Sequence, residues 1–222
     1  MQHLELQASD GHRLAAYRAD PAGAPHGALV VLQEIFGVNS HIRAVADGYA
    51  ADGWVAIAPA LFDRVERGID IGYTPDDVQR GIQLRAGCRP EDTLLDIAAA
   101  VESVRSVGPV GAIGYCWGGT LAWLAAARQP GLAAAVAYYG GGIGELLDLE
   151  PLCPVLAHFG DQDASIPLSV SEGMRRKHPQ VEVHVYPAGH GFNCDQRGSF
   201  DAPSAKLARE RTLRFLQQHV QR

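Results

Sequence analysis

Only two of the 222 residues are lysine, Lys177 and Lys206, and no basic run occurs anywhere; 19 basic residues stand against 25 acidic ones, for a net charge of -6. Nucleic acid and anionic membrane surfaces are poor partners for such a chain, because both demand a concentrated positive patch. Long apolar runs are also lacking. Stretches such as Leu121 to Ala127 and Leu132 to Tyr139 fall far short of the ~20 residues that a bilayer-spanning helix needs. The opening Met1-Gln2-His3-Leu4-Glu5 has neither a positive start nor an apolar segment, which predicts no secretory signal and a cytoplasmic protein. Cysteine is sparse. Cys88, Cys116, Cys153 and Cys194 show no CxxC spacing, so neither a disulfide framework nor a zinc site is expected. The histidines show no HExxH or paired-ligand pattern, no Gly-Lys-Ser/Thr occurs, and Gly140-Gly141-Gly142-Ile143-Gly144 does not fit GxGxxG, so no metal and no cofactor are expected. That glycine run reads more simply as a flexible loop after a strand.

What the chain does have is apolar substance: 47% hydrophobic residues against 20% charged, enough for one large domain spanning 1–222. Eight short runs read as strands: His3 to Ala8, Arg13 to Arg18, Ala28 to Gln33, Val55 to Ala58, Val110 to Gly114, Ala133 to Tyr139, Val155 to Phe159 and Val181 to Tyr186. Between the later ones lie segments of helical period: Ser40 to Asp52, Pro90 to Val107, Trp117 to Gln129, Leu168 to His178 and Pro203 to His219. Ser9-Asp10-Gly11 signals a hairpin between the first two strands, whereas the later strands are continuous Val, Ile, Leu and Ala runs suited to burial on both faces. Alternation of strand and helix predicts an α/β fold, a mostly parallel eight-stranded sheet covered by helices on both faces. The stretch from Arg64 to Pro75 reads as a long loop.

The most informative segment is Gly114-Tyr115-Cys116-Trp117-Gly118-Gly119, where a buried strand runs straight into an apolar helix. The pattern G-x-nucleophile-x-G sets its central residue on a sharp, strained turn, with glycines leaving room for close backbone packing. A thiol there sits at a helix N-terminus, whose amides and dipole favour the anion. Taken alone, Cys116 could equally be a small buried hydrophobe. A nucleophile needs a base, and the base an orienting acid. Downstream, Gly160-Asp161-Gln162-Asp163 follows one strand, offering two competing aspartates, and Gly189-His190-Gly191-Phe192 follows the next, with His190 set between glycines in a loop. Nucleophile, acid, histidine is the chain order of the α/β-hydrolases.

With these motifs, together with Gln33-Glu34-Ile35-Phe36-Gly37-Val38-Asn39 and Tyr138-Tyr139-Gly140, nearly the whole chain resembles the dienelactone hydrolase (carboxymethylenebutenolidase) family, a branch of the α/β-hydrolases that uses cysteine where relatives use serine. The resemblance implies Cys116 as nucleophile, His190 as base and Asp163, rather than Asp161, as orienting acid. It gives Glu34 the role of bonding the resting thiol and taking its proton when substrate arrives. The sequence alone shows only a carboxylate closing an apolar strand, which must find a partner; a cysteine or arginine nearby would serve, and a plain salt bridge is the alternative. The oxyanion hole would be the backbone N–H groups of Ile35 and Trp117. Phe36, Tyr138, Phe192 and Trp123 are candidates to line an apolar pocket. Family members bind the substrate carboxylate with arginines, one of them soon after the histidine loop, where this chain has Asn193-Cys194 and no arginine before Arg197. Arg80 and Arg85 read as solvated helix charges and Cys194 as a passive thiol.

A cysteine nucleophile narrows the substrate. Attack on an ordinary alkyl ester gives a tetrahedral adduct from which the thiolate leaves more readily than the alkoxide, so the adduct reverts. An enol lactone releases an enolate, which is far less basic, and a thioester can form for water to hydrolyse. The expected activity is hydrolysis of small enol lactones or activated esters by a monomer or weak homodimer. Its rivals are an acyl or thioester transferase and a non-catalytic redox-sensing or ligand-binding protein built on the same thiol.

Overall fold

A computed structural model describes residues 2–221, and they form an α/β architecture of eight mostly parallel strands with helices. They divide into two compact units, one running up to Val110 and the other spanning Gly111–Val220.

In the first unit the strands are β1 (Gln2–Gln7), β2 (Arg13–Ala19), β3 (Ala28–Leu32) and β4 (Val55–Pro59). The expected hairpin pairs β1 with β2 antiparallel, turning at Gly11, whose φ of +88° suits glycine. β2 pairs antiparallel with β4, and β4 parallel with β3. Helix α1 (Ser40–Ala51) starts where Asn39 caps it, Oδ1 accepting from the Ile42 amide. Helix α2 (Pro75–Ala86) carries a complete capping box between Thr74 and Asp77 and Pro75 in its first turn. Its period is hard to read because only Gly81 and Leu84 are buried, so the apolar stripe that marks a helix is nearly missing. Helix α3 (Pro90–Val104) begins at Pro90 as expected, with Glu91 and Asp92 in its first turn.

The second unit is a βα succession: β5 (Val110–Tyr115), α4 (Trp117–Arg128), β6 (Ala134–Tyr138), β7 (Val155–Gly160), α5 (Leu168–Lys177), β8 (Glu182–Tyr186) and α6 (Ala202–His219). All three strand pairings are parallel. β5, β6 and β7 are buried along their whole length, as their continuous apolar runs require, while β8 is only partly covered. Registers Tyr115↔Tyr138, Tyr138↔His158 and Gly160↔Tyr186 bring the carboxyl ends of four strands to one side, where α/β proteins carry their ligands. The glycine run after β6 departs from the expected loop: Gly141–Leu146 is 3-10 helical, fixed by the Gly142 amide donating to Thr120 Oγ1 at 3.0 Å.

Candidate active site

Cys116 lies between β5 and α4 with φ 55° and ψ -114°, a left-handed backbone that costs a non-glycine residue of order 1 kcal/mol or more. Neighbouring glycines make the turn possible. A Cβ on Gly114 would stand 1.8 Å from the Gly118 carbonyl oxygen, and one on Gly119 would stand 2.4 Å from that of Tyr138. The Cys116 amide donates to Tyr138 O at 3.0 Å, tying the turn to β6. Trp117 is the first residue of α4, a position whose amide the helix's own ladder does not use.

His190 Nε2 lies 3.2 Å from Cys116 Sγ, and its Nδ1 lies 2.7 Å from Asp163 Oδ2. Asp163's side chain is 1% exposed and its other oxygen accepts from the Ser165 amide at 2.8 Å, so the carboxylate is fixed at both ends. The competing Asp161 is exposed and uses its amide, not its carboxylate, to bond Tyr186 O. The acid and histidine loops are sewn together: Gln162 N donates to Ala188 O at 3.1 Å, and a Cβ on Gly160 would meet that same oxygen at 2.1 Å. Burial alone would pull the His190 pKa down. Hydrogen bonds and charge from Asp163 and Cys116 outweigh it and raise the pKa to about 10.

Side chains proposed to line a pocket sit deeper than expected. Tyr138 is 1% exposed, stacks on Tyr115 and bonds Thr212 through its hydroxyl at 2.7 Å; Phe192 is fully covered; Trp123 donates to Leu146 O at 3.0 Å from the core. The tyrosine that meets the histidine is instead the next one. Tyr139, fully buried and with φ 38°, sets its ring edge to His190 at 5.3 Å. The sequence offered both tyrosines side by side, and nothing in the pair says which turns toward His190.

Arg197 folds back over the histidine loop, its Nη1 2.6 Å from where a Gly191 Cβ would be. Cys194 is fully buried. Burial raises the thiols of Cys88 and Cys153 to about 11, so neither competes as a nucleophile near neutral pH.

In the first unit, Glu34 is fully buried just past β3, and Tyr73 Oη donates to its Oε2 at 3.3 Å. Ile35 and Phe36 follow in a turn, 8% and 1% exposed, with Phe36 edge-on to Tyr73 at 4.6 Å. Tyr73 escaped the sequence reading altogether, because it lies in the presumed loop before α2 without a motif around it. Arg80 forms an exposed pair with Glu66, and Arg85 is exposed in the last turn of α2, in keeping with solvated helix charges. Among the described residues no helix is long and apolar enough to cross a membrane.

The family model for dienelactone hydrolases matches residues 14–220. The carboxymethylenebutenolidase of Pseudomonas putida is 36% identical over 226 residues, covering 96% of this chain and 94% of that protein. A Klebsiella pneumoniae crystal structure, provisionally named a dienelactone hydrolase, is 32% identical with a TM-score of 0.86, covering 99% of this chain and all of that one. An esterase from Pyrococcus furiosus, 14% identical over 98% of this chain and 92% of its own, shares the fold at a TM-score of 0.73.

Proposed function

The chain belongs to the dienelactone hydrolase family, and from that premise we propose that this ester and lactone hydrolase is a cysteine enzyme working through a thioester, with Cys116 as nucleophile, His190 as proton carrier and Asp163 as the carboxylate that orients His190. The observation that carries the proposal is the unbroken line from Asp163 Oδ2 through His190 to Cys116 Sγ, at 2.7 and 3.2 Å, ending on a sulfur held at a strained turn.

With a pKa of about 10, His190 is an imidazolium in the resting site. Glu34 takes the thiol proton as substrate arrives, and the imidazolium holds the sulfur anion that attacks the carbonyl carbon. The new oxyanion takes hydrogen bonds from the amides of Trp117 and Ile35. Collapse breaks the bond to the leaving oxygen, His190 Nε2 protonates that oxygen, and the acyl group remains on sulfur. The now neutral His190 takes a proton from water, whose oxygen attacks the thioester. The acid departs, and the released thiolate recovers its proton from Glu34. The thiolate leaves a tetrahedral adduct more readily than an alkoxide does, so collapse to the thioester needs a leaving oxygen of low basicity, and small enol lactones and activated esters are the proposed substrates. The whole chain serves as one hydrolase domain.

Hydrolysis of dienelactone and of p-nitrophenyl acetate by the wild type and by Cys116→Ala tests the assignment. The variant should lose at least about 10³-fold in rate, and intact mass measured at short times should show an acyl adduct on the wild type only. Equal rates would remove Cys116 from the mechanism.

A further inference from the structure

Glu34 stands against a strap formed by residues 69–73. The strap is pinned to the turn after β3 by a bridge between Gly37 and Asp70 and by the Ile71 amide donating to Phe36 O at 3.1 Å. Contact is so close that a Cβ on Gly37, whose φ is +80°, would stand 2.0 Å from Ile69 O. At the strap's end Tyr73 lays its ring edge-on to Phe36 at 4.6 Å and its hydroxyl beside Glu34.

The orientation of the Asn39 amide follows from its partners. Asn39 Oδ1 accepts from the Ile42 amide, a bond only the carbonyl end of the side chain can make. Nδ2 therefore faces the strap, where it donates to Ile71 O at 3.2 Å, an atom that only accepts, and to Tyr73 Oη at 3.1 Å. With a donor already on its oxygen, the phenol directs its own proton to Glu34 Oε2, at 3.3 Å. That distance is long for an O–H···O bond, and such bonds at catalytic groups often tighten only when substrate is bound. The helix cap thus sets the amide, the amide sets the phenol, and the phenol sets the carboxylate.

We propose that Tyr73 is a positioning residue for Glu34: the hydroxyl, oriented by Asn39, holds the carboxylate in one rotamer, ready to receive the thiol proton. The inference rests on the proposed role of Glu34, and its test separates the two. Tyr73→Phe keeps the ring on Phe36 while deleting the hydroxyl. Asn39→Asp keeps the cap on α1 but gives the phenol a second carboxylate to donate to, drawing its proton away from Glu34.

Each variant should lower kcat/KM for an activated ester about tenfold, the scale of one hydrogen bond to a charged group. The loss should fall on kcat, with KM within about twofold of wild type, because the carboxylate acts on the thiol rather than on the bound substrate. In a Glu34→Gln background Tyr73→Phe should add less than twofold. If Glu34→Gln alone leaves the rate unchanged, the reading of Glu34 fails. If Glu34→Gln is slow while Tyr73→Phe and Asn39→Asp match the wild type in kcat and KM, Glu34 stands and Tyr73 has no positioning role. Equal losses from Tyr73→Phe in both backgrounds would likewise overturn it. Should Tyr73→Phe fold poorly by thermal melt, Asn39→Asp decides the outcome by the same criteria.

Discussion

His158 and His190 belong to the same unit, at or just beyond the ends of parallel strands, yet their surroundings drive them to opposite charge. His158, in β7, is fully buried between two hydroxyls, Nδ1 2.8 Å from Tyr186 Oη and Nε2 2.9 Å from Thr212 Oγ1. Burial, with help from neighbouring His184 and Arg211, pulls its pKa well below 6.5 and keeps it neutral. His190 is also largely covered, with 21% of its side chain exposed, but its partners are a carboxylate and a thiol, and its pKa rises to about 10. Burial by itself therefore does not decide what a histidine does. A neutral partner on each nitrogen makes a structural tie, here joining β6, β7, β8 and α6 through Tyr138, Thr212, His158 and Tyr186. A fixed anion on one nitrogen, as Asp163 is for His190, instead favours the charged ring.

Removing the anion should erase the contrast at its strongest point. Asp163→Asn leaves the shape of the site but frees His190 to adopt the wrong tautomer, and kcat should drop on the order of 10³- to 10⁴-fold. NMR titration of the ring should find its pKa brought down toward that of an ordinary histidine. A ring that still titrates near 10 would mean that the thiol, not Asp163, sets its charge.

The converse change touches the structural tie. His158→Ala empties a space at the centre of the sheet and strands two buried hydroxyls, at a cost of about 3 kcal/mol in chemical denaturation. Activity per folded molecule should stay within a few fold of wild type. A large loss of rate with little loss of stability would make His158 part of the chemistry and dissolve the distinction.

The smallest effect is the dependence of stability on pH, where the two rings act at opposite ends. Folded protein keeps a proton on His190 up to about 10, whereas the unfolded chain releases it near 6.5. That contribution is complete below about 6.5 and disappears as pH rises toward 10. His158 refuses in the folded state a proton that the unfolded chain accepts near 6.5, so its share is lost as pH falls below about 6.5. Denaturation midpoints across this range should show a maximum. His190→Gln should flatten the alkaline side and His158→Gln the acidic side, and a variant that flattens the wrong side refutes the assignment.

Much of this was legible beforehand. The eight strands appear within a residue or two of their expected bounds, because continuous apolar runs can only be satisfied by burial on both faces. The turn at Cys116 was readable because its glycines are demanded by clashes with backbone a few residues away. Helix α2 was not among the segments with a helical period, since a helix that buries two residues leaves almost no hydrophobic period to find. Tyr138 was expected in the pocket and lies in the core, because a neighbouring residue on a strand end points the other way and only packing against α6 settles which.

The sequence by itself determined the strand and helix succession, the bent corner that presents Cys116, and the loops that carry an acid and a histidine after successive strands, since each follows from burial or from sterics between near neighbours. Only the tertiary structure decided that Asp163 rather than Asp161 meets His190, that Tyr139 rather than Tyr138 faces it, and that Tyr73 reaches Glu34. Those pairings depend on strand register and on loops far apart in the chain coming to lie side by side, and a one-residue shift in either would hand each role to a different side chain.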